Sequence, residues 1–408
     1  MTAPTGERLG GHRHPAPAPI PENVTISLHT AETLDGAKVN GVLYHPPGAT
    51  TCVTVLHPRL DMSRHPIIGL LLRAGLAVWS HGMRAVGTDH SLVHEQALLD
   101  VAAGYRIVRD RYERLVPLGH SGGGTLNAFY LWQASAAPQD RIATTPAGRP
   151  TRLAEADLPL PDAVVFLAAH PGQGEVLLHS IDPSVVDEQD PLARNPELDL
   201  FDPANGFAEP PSSAKYSAEF LQRYRAAQRA RLDRLDAVAR EWVEAKNRAR
   251  ARYRETRSPD DRRATIAPRF LIVNRTEADP RYVDLSIDPN DRPYGSLHGS
   301  LPHLINYGTV GFGRICTPDA WLSTWSGLST NASFAKAAPH VTLPTLYLEF
   351  SGDQTLLPQD AQRLYDLLGG VVKERAVLPG LHFGAALTQG GRPGIEPAAE
   401  AITEWLEG

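Results

Sequence analysis

LVPLGHSGGGTLNAF, residues 115–129, sets a serine between a histidine and three successive glycines directly after an apolar run. Gly119-His120-Ser121-Gly122-Gly123 matches Gly-x-Ser-x-Gly, with a strand-like stretch before it and a helix-like stretch, about 125–134, after it. Glycines suit both flanks because a sharp strand-to-helix turn has no space for side chains there. Such a turn holds its serine in a strained conformation, with the oxygen at the top of a sheet and a helix N-terminus behind it. A serine hydroxyl is a weak nucleophile at neutral pH, so it needs that exposed position, a nearby base and donors for the oxyanion. The competing reading, a phosphate-cradling loop, lacks the Lys-Ser/Thr pair of a nucleotide-binding loop. Ser121 is therefore the candidate nucleophile.

Outward from this turn, β-branched runs alternate with amphipathic stretches, the pattern of an α/β protein with a largely parallel, doubly wound sheet. Strands are expected at 23–30 and 37–46, an antiparallel start turning at Asp35-Gly36, then at 52–57, 76–81, 114–120 and 163–170. Helical spacing at 65–75 and 90–110 supplies crossovers. The alternation stops near 171 and resumes with a strand at 344–350, a helix at 358–370, a strand at 371–378 and a last helix near 396–408. Pro117 sits inside a strand that should be central, where it removes a ladder donor, so a local irregularity is expected.

The intervening 171–340 has a different character and reads as an inserted, mainly helical cap after the sixth strand. The expected organisation is a mobile arm (1–22), a first core part (23–170), the cap (171–340) and a second core part (341–408). Within the cap, 213–255 reads as one long helix. Leu221, Tyr224, Leu235, Val238 and Trp242 form its apolar stripe and arginines crowd the other faces, a pattern suited to covering the core or to forming a homodimer. The stretch 295–334 is rich in glycine and aromatics and reads as lid or pocket material.

Composition bounds the function classes. The 408 residues carry a formal net charge of −6, which gives no general electrostatic reason to bind nucleic acid or an anionic membrane. The two cysteines, Cys52 and Cys316, lie too far apart for a disulfide framework, so a reducing, cytoplasmic setting is expected. The first twenty residues lack an apolar core of signal-peptide length, and no apolar run approaches the roughly 20 residues that span a bilayer. His90 and His94, four apart beside Asp89, make a weak metal face without a third ligand, and His12 and His14 read as incidental. No cofactor and no metal are expected.

With these motifs the sequence resembles the α/β-hydrolase superfamily over 23–170 and 341–408, with the insert where that family carries its cap. The resemblance implies about eight strands and a Ser, Asp or Glu, His order of catalytic residues. It implies that the base follows the last strand, where LPGLHFG supplies His382. The acid is implied after the strand at 344–350, where SGDQTLLP supplies Asp353; neighbouring Gln354 occupies the register many relatives use, and Glu349 and Asp360 are more distant alternatives. The oxyanion donors are implied at the backbone of Gly122 and in LHPRLDMSRHP (56–66), which resembles the family's His-Gly-x loop. Pro58 has no N–H, which leaves Arg59, favoured here, or Leu60; the Arg59 side chain is expected to pair with Asp61.

The resulting expectation is a serine hydrolase acting on a small-molecule carboxylic ester. Tyr307, Phe312, Trp321 and Trp325 suggest a bulky apolar or aromatic substrate, unless they form the cap's own core. Amide, thioester or carbon–carbon bond cleavage would use the same residues, and a non-catalytic ligand-binding protein is the alternative of another class.

Overall fold

A computed structural model describes residues 14–408. Eight strands form the main sheet, in the spatial order β1 (Thr25–Glu32), β2 (Lys38–His45), β4 (Ala77–His81), β3 (Thr51–Leu56), β5 (Arg114–His120), β6 (Val164–Leu167), β9 (Thr345–Phe350), β10 (Lys373–Leu378). Only β2 runs against the rest. The central strands read as unbroken apolar runs because both faces are covered. Val53, Val55, Val116, Leu118, Val165 and Leu167 pack on one side, with Leu71 of α1 (Ile68–Arg73) and Ile402 of the C-terminal helix Ile395–Glu407. Cys52, Leu56 and Leu115 face the other side, against Leu98 and Tyr105 of α2 (His94–Arg109) and Phe129 of α3 (Gly122–Ser135).

Pro117 is accommodated without a bulge. Leu115 accepts from the Asp162 N–H on the β6 side of β5 at 2.9 Å, so the two-residue alternation turns Pro117 to that side as well. The ladder with β6 starts only at Leu118, so the missing donor falls where no acceptor waits. The sixth strand is shorter than expected: Ala168 adopts φ 46°, which ends the extended run.

Between β6 and β9 the chain forms α4 (Gln173–Ser180), α5 (Ala218–Thr256), α6 (Pro259–Ile266) and a two-stranded sheet, β7 (Leu271–Ile272) with β8 (Ile315–Cys316). Ser217 caps α5 by accepting from the Phe220 N–H. The buried stripe of α5 differs from the expected one: Phe220, Tyr224, Leu232, Leu235 and Ala239 are inside, while Val238 is exposed. Its arginines are not all solvated either. Arg231 is fully buried and reaches the Asp182 carbonyl (2.6 Å), the Asn274 carbonyl (2.8 Å) and the Glu188 carboxylate, tying the helix to two loops. The stripe is thus spent on the chain's own insert. No helix among the described residues is long and apolar enough to cross a membrane.

The expected arm, 1–22, is only partly within the described residues, and His12 lies outside them. The stretch 14–22 lies against the core rather than apart from it. Arg73 donates to the Pro19 carbonyl, and the His14 ring stacks on Phe383 with centroids 4.3 Å apart.

Candidate active site

β5 delivers Ser121 at its C-terminal end, and α3 begins at the next residue. Ser121 has φ 56° and ψ −126°, a conformation that costs a non-glycine residue free energy. It is held there by its N–H on the Leu167 carbonyl at 3.1 Å and by the close approach of strand and helix. A Cβ on Gly119 would lie 2.5 Å from the Gly124 Cα, and one on Gly123 would lie 2.2 Å from the Leu56 carbonyl oxygen, so neither position admits a side chain.

The loops after β9 and β10 bring Asp353 and His382 to the same point. His382 Nε2 lies 2.8 Å from Ser121 Oγ, and His382 Nδ1 lies 2.9 and 2.8 Å from the two oxygens of Asp353. A carboxylate facing Nδ1 requires the proton there, which leaves Nε2 to accept from the serine hydroxyl. Asp353 is fully buried, and Oδ1 also accepts from the N–H groups of Thr355 (2.7 Å) and Leu356 (2.9 Å). The insert buttresses this loop: Asn290 donates to the Asp353 carbonyl at 2.8 Å, and Gln354 turns away to donate to Gly295 and Ser296 carbonyls. Glu349 pairs with Arg375, and Asp360 pairs with Arg281 at 2.9 Å, so neither competes for the histidine.

A chain of buried histidines fixes the main chain of His382. The Ile67 N–H donates to His65 Nδ1 at 3.3 Å, and an N–H only donates, so the His65 proton is on Nε2. His65 Nε2 then donates to His120 Nδ1 at 2.8 Å, and His120 Nε2 donates to the His382 carbonyl at 2.8 Å. Each ring is thereby assigned a neutral tautomer, and sequence reasoning missed this second role of His120. Burial agrees: it pushes His65, His94 and His170 down to about 3, His81 to about 4, and His57 and His120 well below the ordinary 6.5. The unfolded chain takes up protons on these rings below pH 6.5, whereas the folded chain refuses them until much lower pH. Stability is therefore full above about 6.5 and lost as pH falls from there toward 3 to 4, by up to about 1.4 kcal/mol per pH unit for each ring. Urea midpoints should drop markedly between pH 7 and pH 5; an unchanged midpoint would contradict the neutral histidine set.

The loop after β3 departs from expectation. The N–H groups of Arg59 and Leu60 both donate to His57 Nδ1 at 3.1 Å, so the expected Arg59 donor is already engaged. The Arg59 guanidinium reaches Asp89 at 3.0 Å rather than Asp61, and lies 5.3 and 5.2 Å from the Phe312 and Trp325 ring centroids. Arg59 thus joins the sheet loop to the insert.

No protein-family model matches the chain, and no curated protein matches it in sequence. Its structure is similar to that of DcsB in complex with its substrate analogue, with a TM-score of 0.50 and 12% identity over 94% of this chain and 98% of that one. Others are the α/β hydrolase GrgF from Penicillium sp. sh18 (TM-score 0.47, 12% identity, 94% and 96% covered) and the esterase domain of a Rhodothermus marinus protein (0.44, 12%, 93% and 97%). The first of these likenesses spans nearly the whole chain, including the eight-stranded sheet with its single reversed strand. The chain has the α/β-hydrolase fold.

In this hydrolase fold the four aromatics chosen for substrate binding go elsewhere. Trp321, Trp325 and Phe312 are buried with Leu232, Leu235 and Leu177 in the core of the insert, and Tyr307 is exposed, its ring 4.5 Å from the Arg275 guanidinium. The two tryptophans and Phe312 are core because α5 packs over them, a contact no local pattern reveals. Trp321 Nε1 also donates to the buried Asp236 at 2.7 Å. Trp321→Ala should therefore cost about 3–5 kcal/mol in denaturant unfolding, whereas Tyr307→Ala should cost about 1 kcal/mol or less. Equal effects would contradict this assignment.

His94 meets Thr324 Oγ1 at 2.9 Å, and its N–H donates to Ser323 Oγ, so it anchors the insert; no group of three potential metal ligands converges among the described residues. Two crevices of about 100 Å³ flank His382: one is lined by His14, His57, Leu60, Met62, Ser121 and Phe383, the other by Tyr294, Leu297, Gln354 and Leu381. A larger cavity of about 410 Å³, bounded by Trp242, Lys246, Arg252 and Arg269, shares no lining residue with them.

Proposed function

We propose that the protein is a serine hydrolase that cleaves a carboxylic ester through an acyl-enzyme on Ser121, in a reducing, cytoplasmic setting that its two free buried cysteines suit. One observation carries this reading: Ser121 Oγ lies 2.8 Å from a histidine nitrogen whose ring is oriented by a buried carboxylate. His382 Nε2 takes the hydroxyl proton as Ser121 Oγ bonds to the acyl carbon and the carbonyl π electrons move to oxygen. Collapse of that oxyanion expels the alkoxide, which takes the proton from His382. Water, deprotonated by the same nitrogen, then attacks the acyl carbon; the bond from that carbon to Ser121 Oγ breaks, Oγ takes the proton back from His382, and the acid leaves. Asp353 stays ionised and stabilises the imidazolium.

The two crevices of about 100 Å³, one lined by Ser121 and the other by His382, favour a compact acyl or alcohol group over a bulky aromatic one. The test is fluorophosphonate labelling located to Ser121, with turnover on a series of p-nitrophenyl esters from acetate to decanoate and on matched anilides and acyl thioesters. Labelling with a preference for short esters supports the reading. A protein that ignores the phosphonate and turns over none of these is a binding protein, and faster anilide or thioester turnover reassigns the bond cleaved.

A further inference from the structure

Acyl transfer at Ser121 needs two or more donors aimed at the developing oxyanion. The Gly122 N–H, at the first position of α3, has no intrahelical acceptor and is one of them. The loop after β3 offers no obvious second: position 58 is proline, and the N–H groups of Arg59 and Leu60 are held by His57 Nδ1. Those same two bonds determine the His57 tautomer. Two N–H groups converge on Nδ1, so Nδ1 carries no proton, and the ring proton is on Nε2 as a donor.

A second side chain points to the same place. The turn at 170–172, closed by the Gly172 N–H on His170 Nδ1 at 3.0 Å, sets Gln173 at the head of α4. Gln173 is 1% exposed, and neither its amide oxygen nor its amide nitrogen has a hydrogen-bond partner among the described residues. Leaving a buried primary amide unengaged is costly, and its presence calls for a ligand group. A Cβ built on Gly122 would lie 2.3 Å from Gln173 Nε2 and 3.1 Å from His57 Nε2, so both nitrogens stand directly over the residue that follows the nucleophile. This closeness also explains why position 122 must be glycine.

We infer that the oxyanion is held by the side-chain N–H groups of Gln173 and His57 together with the Gly122 N–H, in place of a second backbone donor from the loop after β3. The inference rests on the serine-hydrolase reading and adds two catalytic residues to it. Both donors come from rigid positions, the end of a central strand and the first turn of a helix, which suits a preorganised site. Neutral His57 is the form required, since Nδ1 must remain an acceptor while Nε2 donates.

The experiment measures kcat and KM on p-nitrophenyl acetate, and Ki for an alkyl trifluoromethyl ketone whose serine adduct carries the oxyanion. Gln173→Met keeps the shape and removes the donor. It should lower kcat about 100-fold with KM little changed, and the ketone Ki should rise by the same factor. His57→Leu should lose at least about tenfold, and His57→Gln, which can accept from Arg59 and donate to the oxyanion, should recover most of that loss. Melting curves are read for each variant, and if Gln173→Met fails to fold the two His57 variants carry the test. A folded Gln173→Met with kcat near wild type overturns the inference, as does a kcat loss that the ketone does not share or a His57→Gln no better than His57→Leu. In those cases Ser121 remains labelled and the serine-hydrolase reading survives. A wild type that is not labelled overturns both.

Discussion

Ser121→Ala is expected to lower ester turnover by about 10⁵-fold or more and to abolish phosphonate labelling, because His382 and Asp353 have no hydroxyl to activate and only binding and the oxyanion donors remain. Stability should separate from activity. Alanine keeps the Cβ at φ 56° and ψ −126°, so the backbone cost persists and the melting temperature should hardly move. Ser121→Gly removes that Cβ, and should be as inactive yet more stable, by about 1 kcal/mol after allowing for glycine's extra chain entropy. The checks are turnover, active-site labelling and thermal melts of the three proteins side by side. Substantial turnover in Ser121→Ala would end the serine-hydrolase reading, and a destabilised Ser121→Gly would mean that the turn is not strained.

Asp353→Asn is expected to lower kcat about 10⁴-fold while leaving the fold intact. The argument is directional. Asp353 Oδ1 accepts from the N–H groups of Thr355 and Leu356, and an asparagine must keep its single oxygen there. Its NH₂ group then faces His382 Nδ1, which must become the acceptor. The ring proton moves to Nε2, and the serine loses its base. Glu349→Gln breaks an ion pair with Arg375 on the neighbouring strand and should keep kcat within about tenfold of wild type. Near-normal rates in Asp353→Asn with a crippled Glu349→Gln would reverse the assignment of the acid.

The strands with apolar residues on both faces were legible because burial on two sides leaves no polar alternation to misread; 114–120 matches β5 residue for residue. The sixth strand was overextended because Ala168 and Ala169 are as apolar as the strand itself, and only the turn at Ala168 distinguishes them. The stripe of α5 was misphased at Val238 for a related reason: a helix with apolar and arginine residues on several faces allows more than one stripe, and contact with 179–188 and 271–274 selects one.

The candidate site divides in the same way. Local chemistry decides a strand, a tight turn and a helix, so Gly-x-Ser-x-Gly, with its glycines and its flanking periodicities, was enough to single out Ser121. Asp353 and His382 were reached through the resemblance, which implies an acid and a base in the loops after the last two strands, with Gln354, Glu349 and Asp360 left as alternatives for the acid. Orientation is another matter, because a donor's direction depends on which acceptor the folded chain sets beside it. Arg59 was chosen by position in its loop, but His57 captured its N–H; Gln173 carried no motif, yet α4 carried it to Gly122. Trp321, Trp325 and Phe312 looked the same in sequence whether they lined a pocket or filled a core, and the packing of α5 over them decided it. The strained turn at Ser121 and the layered sheet could be read from the chain alone, because they follow from short-range sterics and two-sided burial. Where hydrogen-bond donors point and which aromatics face solvent depend instead on loop conformation and on packing between elements tens of residues apart, as Gln173 lies over Gly122 and Trp321 meets Asp236.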